Sequence, residues 1–311
     1  MEIVEVQALA YSKSIAESTP IFNSAKFSEL NKDKIEALHY LLFKDTKIRL
    51  GIILGVKGFN VSSPFSAPFG GFSLVQSEVK SSVILQAVEL LEKWLVERKY
   101  KSITISLPPL RYEQDFYTRI VNSLFIKGYQ TKQLDVNHQF EIPADFESDY
   151  PTMLQRNARK NLNVALKSEL TWHVIPQEHA QRAYEVIAIN RSARNKPLRM
   201  AFEQVLNMAS ITPAQFFVVQ FGDIDIASAI VFQVNSKVVQ VIYWGDDPQY
   251  SELRAMNFLS YKLFQYYAEQ KIEVVDIGIS TEHSIPNFGL CDFKESIGCS
   301  VSLKYTFSKE L

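Results

Sequence analysis

Along the chain, apolar runs of strand length alternate with stretches in which apolar residues recur every three or four positions. HYLLF (39–43) and IRLGIILGVKG (48–58) are separated by the polar KDTK, a pattern that predicts two consecutive antiparallel strands. After the irregular VSSPFSAPFGGFSLV, residues Val83, Ala87, Leu90, Leu91, Trp94 and Leu95 follow a 3.6-residue repeat and predict a long helix. ITISL (103–107) reads as a short buried strand, DFYTRIVNSLFIKG as a helix stopped by Gly128, and YQTKQLDVNHQFEI as another alternating strand.

The second half repeats that order. FFVVQFG and IDIASAIVFQV predict a hairpin around Gly222 and Asp223, and KVVQVIYWG, a polar loop and the helix SELRAMNFLSYKLFQYYAEQ follow. VVDIGI is the next short strand, NFGLCDFKESIGC holds the next helix, and SVSLKYTF is expected to close this module. In NFGLCDFKESIGC the residues Leu290, Phe293 and Ile297 can share one helical face with Lys294 at its edge, and Phe288 is expected to pack inward as well. A length of 311 residues also favours two cores. The expectation is an α+β fold of two modules, each a mixed, mostly antiparallel sheet with flanking helices. The N-terminal module spans 1–147, and a basic connecting helix plus the C-terminal module spans 148–311. That connecting helix, SDYPTMLQRNARKNLNVALKSE, is expected to be capped by Ser148 or Asp149 with Pro151 in its first turn. Arg156, Arg159, Lys160 and Lys167 meet no acidic neighbour before Glu169, which gives it a basic face.

Composition narrows the function classes. A net charge of -1 gives no global attraction to nucleic acid or anionic membranes, so any phosphate binding must be local. No window approaches the ~18 uncharged apolar residues of a membrane span, and the acidic N-terminus does not read as a signal peptide, so a cytoplasmic location is expected. Cys291 and Cys299 are spaced as neither a metal knuckle nor a redox pair and read as reduced, structural thiols. The five His form no metal-binding motif, and no metal is expected.

YWGDDPQYSELRAMNFLSYKLFQYYAEQKIEVVDIG resembles the C-terminal module of the Fem-type aminoacyl transferases and their FemAB-like relatives in the GNAT superfamily. GLCDFKESIG is similar to that family's Gly-Leu-x-x-Phe-Lys-x-x-Phe-Gly element, with Ile297 in place of the aromatic residue. LQRNARKNL resembles its basic inter-module helix, and PFSAPFGGF its first-module loop. The resemblance implies tandem GNAT-like modules. It also implies transfer of an acyl or aminoacyl group, from aminoacyl-tRNA or acyl-CoA as co-substrate and with no tightly bound cofactor, to an amine such as that of a cell-envelope precursor peptide. tRNA is then an implied partner.

On the same resemblance Phe293 and Lys294 lie beside the reacting acyl group, where a cation stabilises charge developing on the carbonyl oxygen; a solvated lysine is the alternative. Gly278 would let a substrate backbone approach, and Asn287 would cap the helix or bind a ligand amide. Tyr243 and Trp244 would line a groove with Phe293 or pack in the core. Arg156, Arg159 and Lys160 would hold phosphates of a tRNA or nucleotide-linked precursor, or form a solvated face. PFSAPFGGF would line a substrate or simply connect strand to helix. GDDPQYSELRA has no glycine pair of the kind a pyrophosphate loop uses, and Asp246 and Asp247 would repel a diphosphate, which disfavours CoA there. No Glu or His stands out as a general base. Two other readings stay open: a CoA-dependent N-acyltransferase, and a precursor- or peptide-binding module without catalysis.

Overall fold

The computed structural model describes residues 1–75 and 78–311. Two compact units emerge, one of Met1–Val136, His283–Ile285 and Ser302–Leu311, the other of Asn137–Glu282 and Pro286–Val301.

The first unit begins with β1 (Glu2–Val6), α1 (Ala8–Ser14) and α2 (Ala25–Leu30). β2 (Ala37–Lys44), β3 (Ile48–Lys57), β4 (Asn60–Ser63), β5 (Phe72–Leu74), α3 (Ser81–Glu97), β6 (Ser102–Ser106), α4 (Gln114–Ile126) and β7 (Gln130–Glu141) follow. β2 and β3 pair antiparallel as their alternation predicts, and β4 runs parallel to β6. The apolar stripe of α3, including Ile84, Leu91 and Leu95, closes over Leu41, Leu50, Ile52 and Ile103.

The second unit contains α5 (Phe146–Met153), α6 (Arg156–Ala165), β8 (Leu170–Ile175), α7 (Ala180–Ala193), α8 (Phe202–Ala209), β9 (Ala214–Phe221), β10 (Ile224–Gln233) and β11 (Val238–Asp246). Then come α9 (Ala255–Glu269), β12 (Val274–Ile279), the two-residue extended segments β13 (Thr281–Glu282) and β14 (Ile285–Pro286), α10 (Phe288–Ser296) and β15 (Ser300–Glu310), which belongs to the first unit from Ser302 onward. Antiparallel pairing joins β8 to β9, β9 to β10 and β10 to β11; β11 runs parallel to β12, and β12 antiparallel to β7. Phe217, Ala229, Val239 and Val241 meet Leu259, Leu263 and Phe264 of α9 in its core.

Two expectations are corrected here. The closing strand does not complete the second module: β15 pairs antiparallel with β6 over Thr306–Glu310 and puts Phe307 into the first core, while β7 supplies the partner of β12. The units therefore do not divide at 147/148. Alternation identifies a strand, but the choice of partner depends on contacts distant in sequence. The connecting segment is also two helices. Asp145, not Ser148 or Asp149, caps α5 by accepting from Ser148 N, and Pro151 lies in its interior. Leu154 and Gln155 are extended, and the freed groups find new partners: Leu154 O accepts from Arg159 Nη2 at 3.1 Å, and Gln155 N donates to Ser296 O at 3.0 Å.

Candidate active site

The site grows from a break in the sheet of the second unit. β11 and β12 pair only over Val238–Gln240 and Val274–Asp276, although β11 continues to Asp246 and β12 to Ile279. The β12–β7 register slips between Asp276 and Ile279, and Gly278 inside that irregularity has φ +75, a conformation that favours glycine.

A bulge of this kind takes carbonyls out of the ladder, and one side chain satisfies them. Lys294 of α10 donates to Ile277 O at 2.9 Å, Gly278 O at 2.8 Å and Ile279 O at 3.2 Å, which occupies all three ammonium hydrogens. It is only 2% exposed, neither solvated nor reaching into an open groove. Burial lowers its pKa to about 8, and the Asp276 carboxylate partly opposes that fall. Asp276 is itself fully enclosed and accepts from Asn137 Nδ2, Gln240 Nε2 and Gly278 N, each at 2.8 Å.

Asn287 caps α10 through Leu290 N at 3.2 Å, which leaves the helix geometry fixed from its first turn. Ile297 is fully buried, but Leu290 and Phe293 are half-buried, and Phe288 is 73% exposed, so the inward packing expected for Phe288 does not occur. Lys294 takes the inward position because it has the only group on the helix that can meet the three carbonyls of β12.

Trp244 meets Phe293 edge to face at 6.1 Å between ring centroids. Tyr243 does not join them. As the neighbouring residue on β11 it points to the other side of the sheet, where its hydroxyl accepts from Met200 N at 3.1 Å and the Arg191 guanidinium lies 5.4 Å from its ring. Tyr243 therefore does not border a groove with Phe293 and Gly278: the structure brings Trp244, Phe293, Lys294, Gly278 and Asn287 together and leaves Tyr243 apart. At the end of β11, Gly245 is demanded by Asn190, whose Cγ would lie 2.6 Å from an added Cβ. Asn190 Nδ2 donates to Asp246 O at 2.7 Å, and burial raises the pKa of the Asp246 carboxyl.

Sequence reasoning passed over a second cluster beside Lys294. His138 of β7 is completely buried, with Nδ1 2.9 Å from Ser280 Oγ and Nε2 3.4 Å from Glu295 Oε1. Burial lowers its pKa below the ordinary histidine value, and the Lys294 ammonium adds to that effect. The only available signal was a polar triplet, Asn137–His138–Gln139, inside an otherwise regular strand.

Arg156, Arg159 and Lys160 are exposed on α6, and among the described residues Arg156 and Lys160 have no ion-pair partner. They lie opposite Ala158, Leu162 and Ala165, which face the core. In the first unit the PFSAPFGGF loop is packed inward: Phe69 is fully buried, and Gly70 N and Gly71 N donate to Ser106 O and Ser63 Oγ. Both cysteines are buried free thiols, no helix is long and apolar enough to cross a membrane, and no metal-binding cluster occurs among the described residues.

Two α+β units of this topology, each with one parallel strand pair in a mostly antiparallel sheet, define a tandem GNAT-like fold. The chain has the fold of FemX, with a TM-score of 0.73 at 14% identity over 100% of this chain and 98% of that one. It is also similar to L-PGS from Bacillus licheniformis, with a TM-score of 0.59 at 13% identity over 96% and 90% of the two chains. A tandem GNAT protein from the clavulanic acid biosynthesis pathway gives 0.56 at 10% identity over 99% and 98%. No family model matches the sequence, and no curated protein matches it.

Proposed function

We propose that this protein is a transferase that forms an amide between an activated acyl or aminoacyl group and an amine. The observation that carries the reading is the positive charge of Lys294, fixed against Ile277–Ile279 of β12 just past the end of its pairing with β11, on the helix whose Phe293 meets Trp244. Attack of an amine on an ester or thioester places negative charge on the carbonyl oxygen. A buried ammonium favours that charge through the low-dielectric interior even with its hydrogens engaged, and a pKa of about 8 keeps it largely protonated at neutral pH. Lys294 thus acts by field and by shaping the bulge, not as a mobile hydrogen-bond donor.

Arg156, Arg159 and Lys160 would hold phosphates of the donor or of a nucleotide-linked acceptor. Asp246 at the end of β11 and Asp247 just after it precede α9, where two acids oppose a diphosphate, so an aminoacyl-tRNA fits this chain better than acyl-CoA. A cell-envelope precursor peptide with a free amine is the acceptor class that agrees with that donor, and both point to work in the cytoplasm.

The test is product detection. The purified protein is mixed with aminoacyl-tRNA or acyl-CoA and with a nucleotide-linked peptide amine, and the mixture is read by mass spectrometry for an amide adduct. A mass gain on the peptide that needs both substrates and the protein supports the reading. No adduct from any pair, with the protein folded and the substrates intact, would falsify it.

A further inference from the structure

The buried histidine beside Lys294 has a defined chemistry. A carboxylate only accepts hydrogen bonds, so the carboxylate of Glu295 at 3.4 Å favours the His138 tautomer with its proton on Nε2. Nδ1 is then a lone pair, and Ser280 Oγ donates to it at 2.9 Å. One neutral imidazole thus links three elements: strand β7, the residue that follows β12, and α10.

We propose that His138 is a proton-controlled positioning residue: neutral and protonated on Nε2, it holds α10, and with it Phe293 and Lys294, against the end of β12, and a second proton releases that hold. The imidazolium would carry N–H at both nitrogens, so the Ser280 hydroxyl would lose its acceptor and have to turn. The new charge would also sit in an enclosed site beside a second cation. The charged groups acting on His138 are Lys294, which repels the proton, and Glu295, which attracts it, both from α10; Ser280 presents a neutral hydroxyl. Glu295 is 46% exposed at its side chain, so water screens its attraction, whereas Lys294 is enclosed. Asp276 on β12 acts on Lys294 and so moderates the repulsion indirectly. Glu295 directly follows Lys294, so any displacement of Glu295 moves the backbone that carries the carbonyl clamp.

The structural part stands without the transfer reading; the claim that the latch regulates transfer rests on it, and the two are tested separately. Nitrogen-resolved NMR of the five histidines is followed from pH 7 to pH 5, a window in which Lys294 stays protonated, together with the Trp244 indole N–H signal. His138 is expected as the Nε2–H tautomer, protonating below the ordinary histidine value because it is buried, with the Trp244 signal shifting as it titrates because Trp244 touches Phe293 on α10. His138→Gln keeps a donor for Glu295 and an acceptor for Ser280 but has no proton to gain, so the pH-linked Trp244 shift should vanish while the spectrum at pH 7 stays native-like. An Nδ1–H tautomer, or the same Trp244 shift in His138→Gln, overturns the latch. If transfer is found, its acidic limb of kcat should flatten in His138→Gln with KM nearly unchanged; an unaltered limb overturns the regulatory part alone.

Discussion

Lys294→Met removes the ammonium and keeps most of the side-chain volume, so the carbonyl clamp can be weighed directly. A pKa lowered from 10.5 to about 8 means that the buried charge costs ~3 kcal/mol relative to the neutral amine, and methionine removes that cost. Against this, Ile277 O, Gly278 O and Ile279 O lose their donor. Buried unsatisfied groups cost ~1–3 kcal/mol each, so three give ~3–9 kcal/mol and the net loss centres on ~3 kcal/mol. Urea unfolding followed by tryptophan fluorescence at pH 7 measures the difference. Its pH dependence provides a second check. The folded state releases the Lys294 proton near pH 8 and the unfolded state near 10.5, so between these values the unfolded chain binds more protons. The contribution of this group to stability therefore rises with pH across that window, and Lys294→Met should lack that slope. A methionine variant as stable as the wild type at pH 7 would refute the clamp.

Gly245→Ala forces a Cβ to within 2.6 Å of Asn190 Cγ and should cost ~1–3 kcal/mol; the pair Gly245→Ala/Asn190→Ala should lose less than the two single changes summed, as thermal melts will report. A fragment of residues 1–147 lacks β15, the antiparallel partner of β6, and should stay unfolded by circular dichroism, whereas adding a peptide of residues 300–311 should restore structure. Arg156→Ala with Lys160→Ala should leave the melting temperature unchanged, because both side chains are solvent-exposed, while weakening tRNA binding and lowering its salt dependence in filter-binding titrations.

Most of the element order was legible because it rests on local periodicity: α3, β3, β9 and β10 carry unambiguous apolar patterns. The exchange of partners between β7 and β15 was not, since both strands alternate similarly and nothing local distinguishes the strand beside which each lies. The break between α5 and α6 at Leu154–Gln155 was not legible, because the one helix breaker of the segment, Pro151, lies inside α5 three residues before it. At the candidate site, Phe293, Lys294 and Gly278 were singled out by motif, Asn287 by its capping position ahead of α10, and Trp244 by its place at a strand end. The environment of Lys294 was hidden because the bulge that turns three carbonyls toward it depends on β7 pairing with β12 across more than 130 residues of chain. Tyr243 was misplaced because the side of a strand that faces a site follows from the helices packed on each face. His138 needed Ser280 and Glu295 to acquire meaning, and neither is near it in sequence.

The most direct test is the single-turnover rate of amide formation by wild-type protein and by Lys294→Met, with each variant confirmed as folded by circular dichroism under the assay conditions. A buried positive charge acting on the developing oxyanion predicts that wild type forms the amide and that Lys294→Met is slower by ~100-fold or more. Transfer by Lys294→Met at the wild-type rate would contradict that role and leave Lys294 as the anchor of α10 alone.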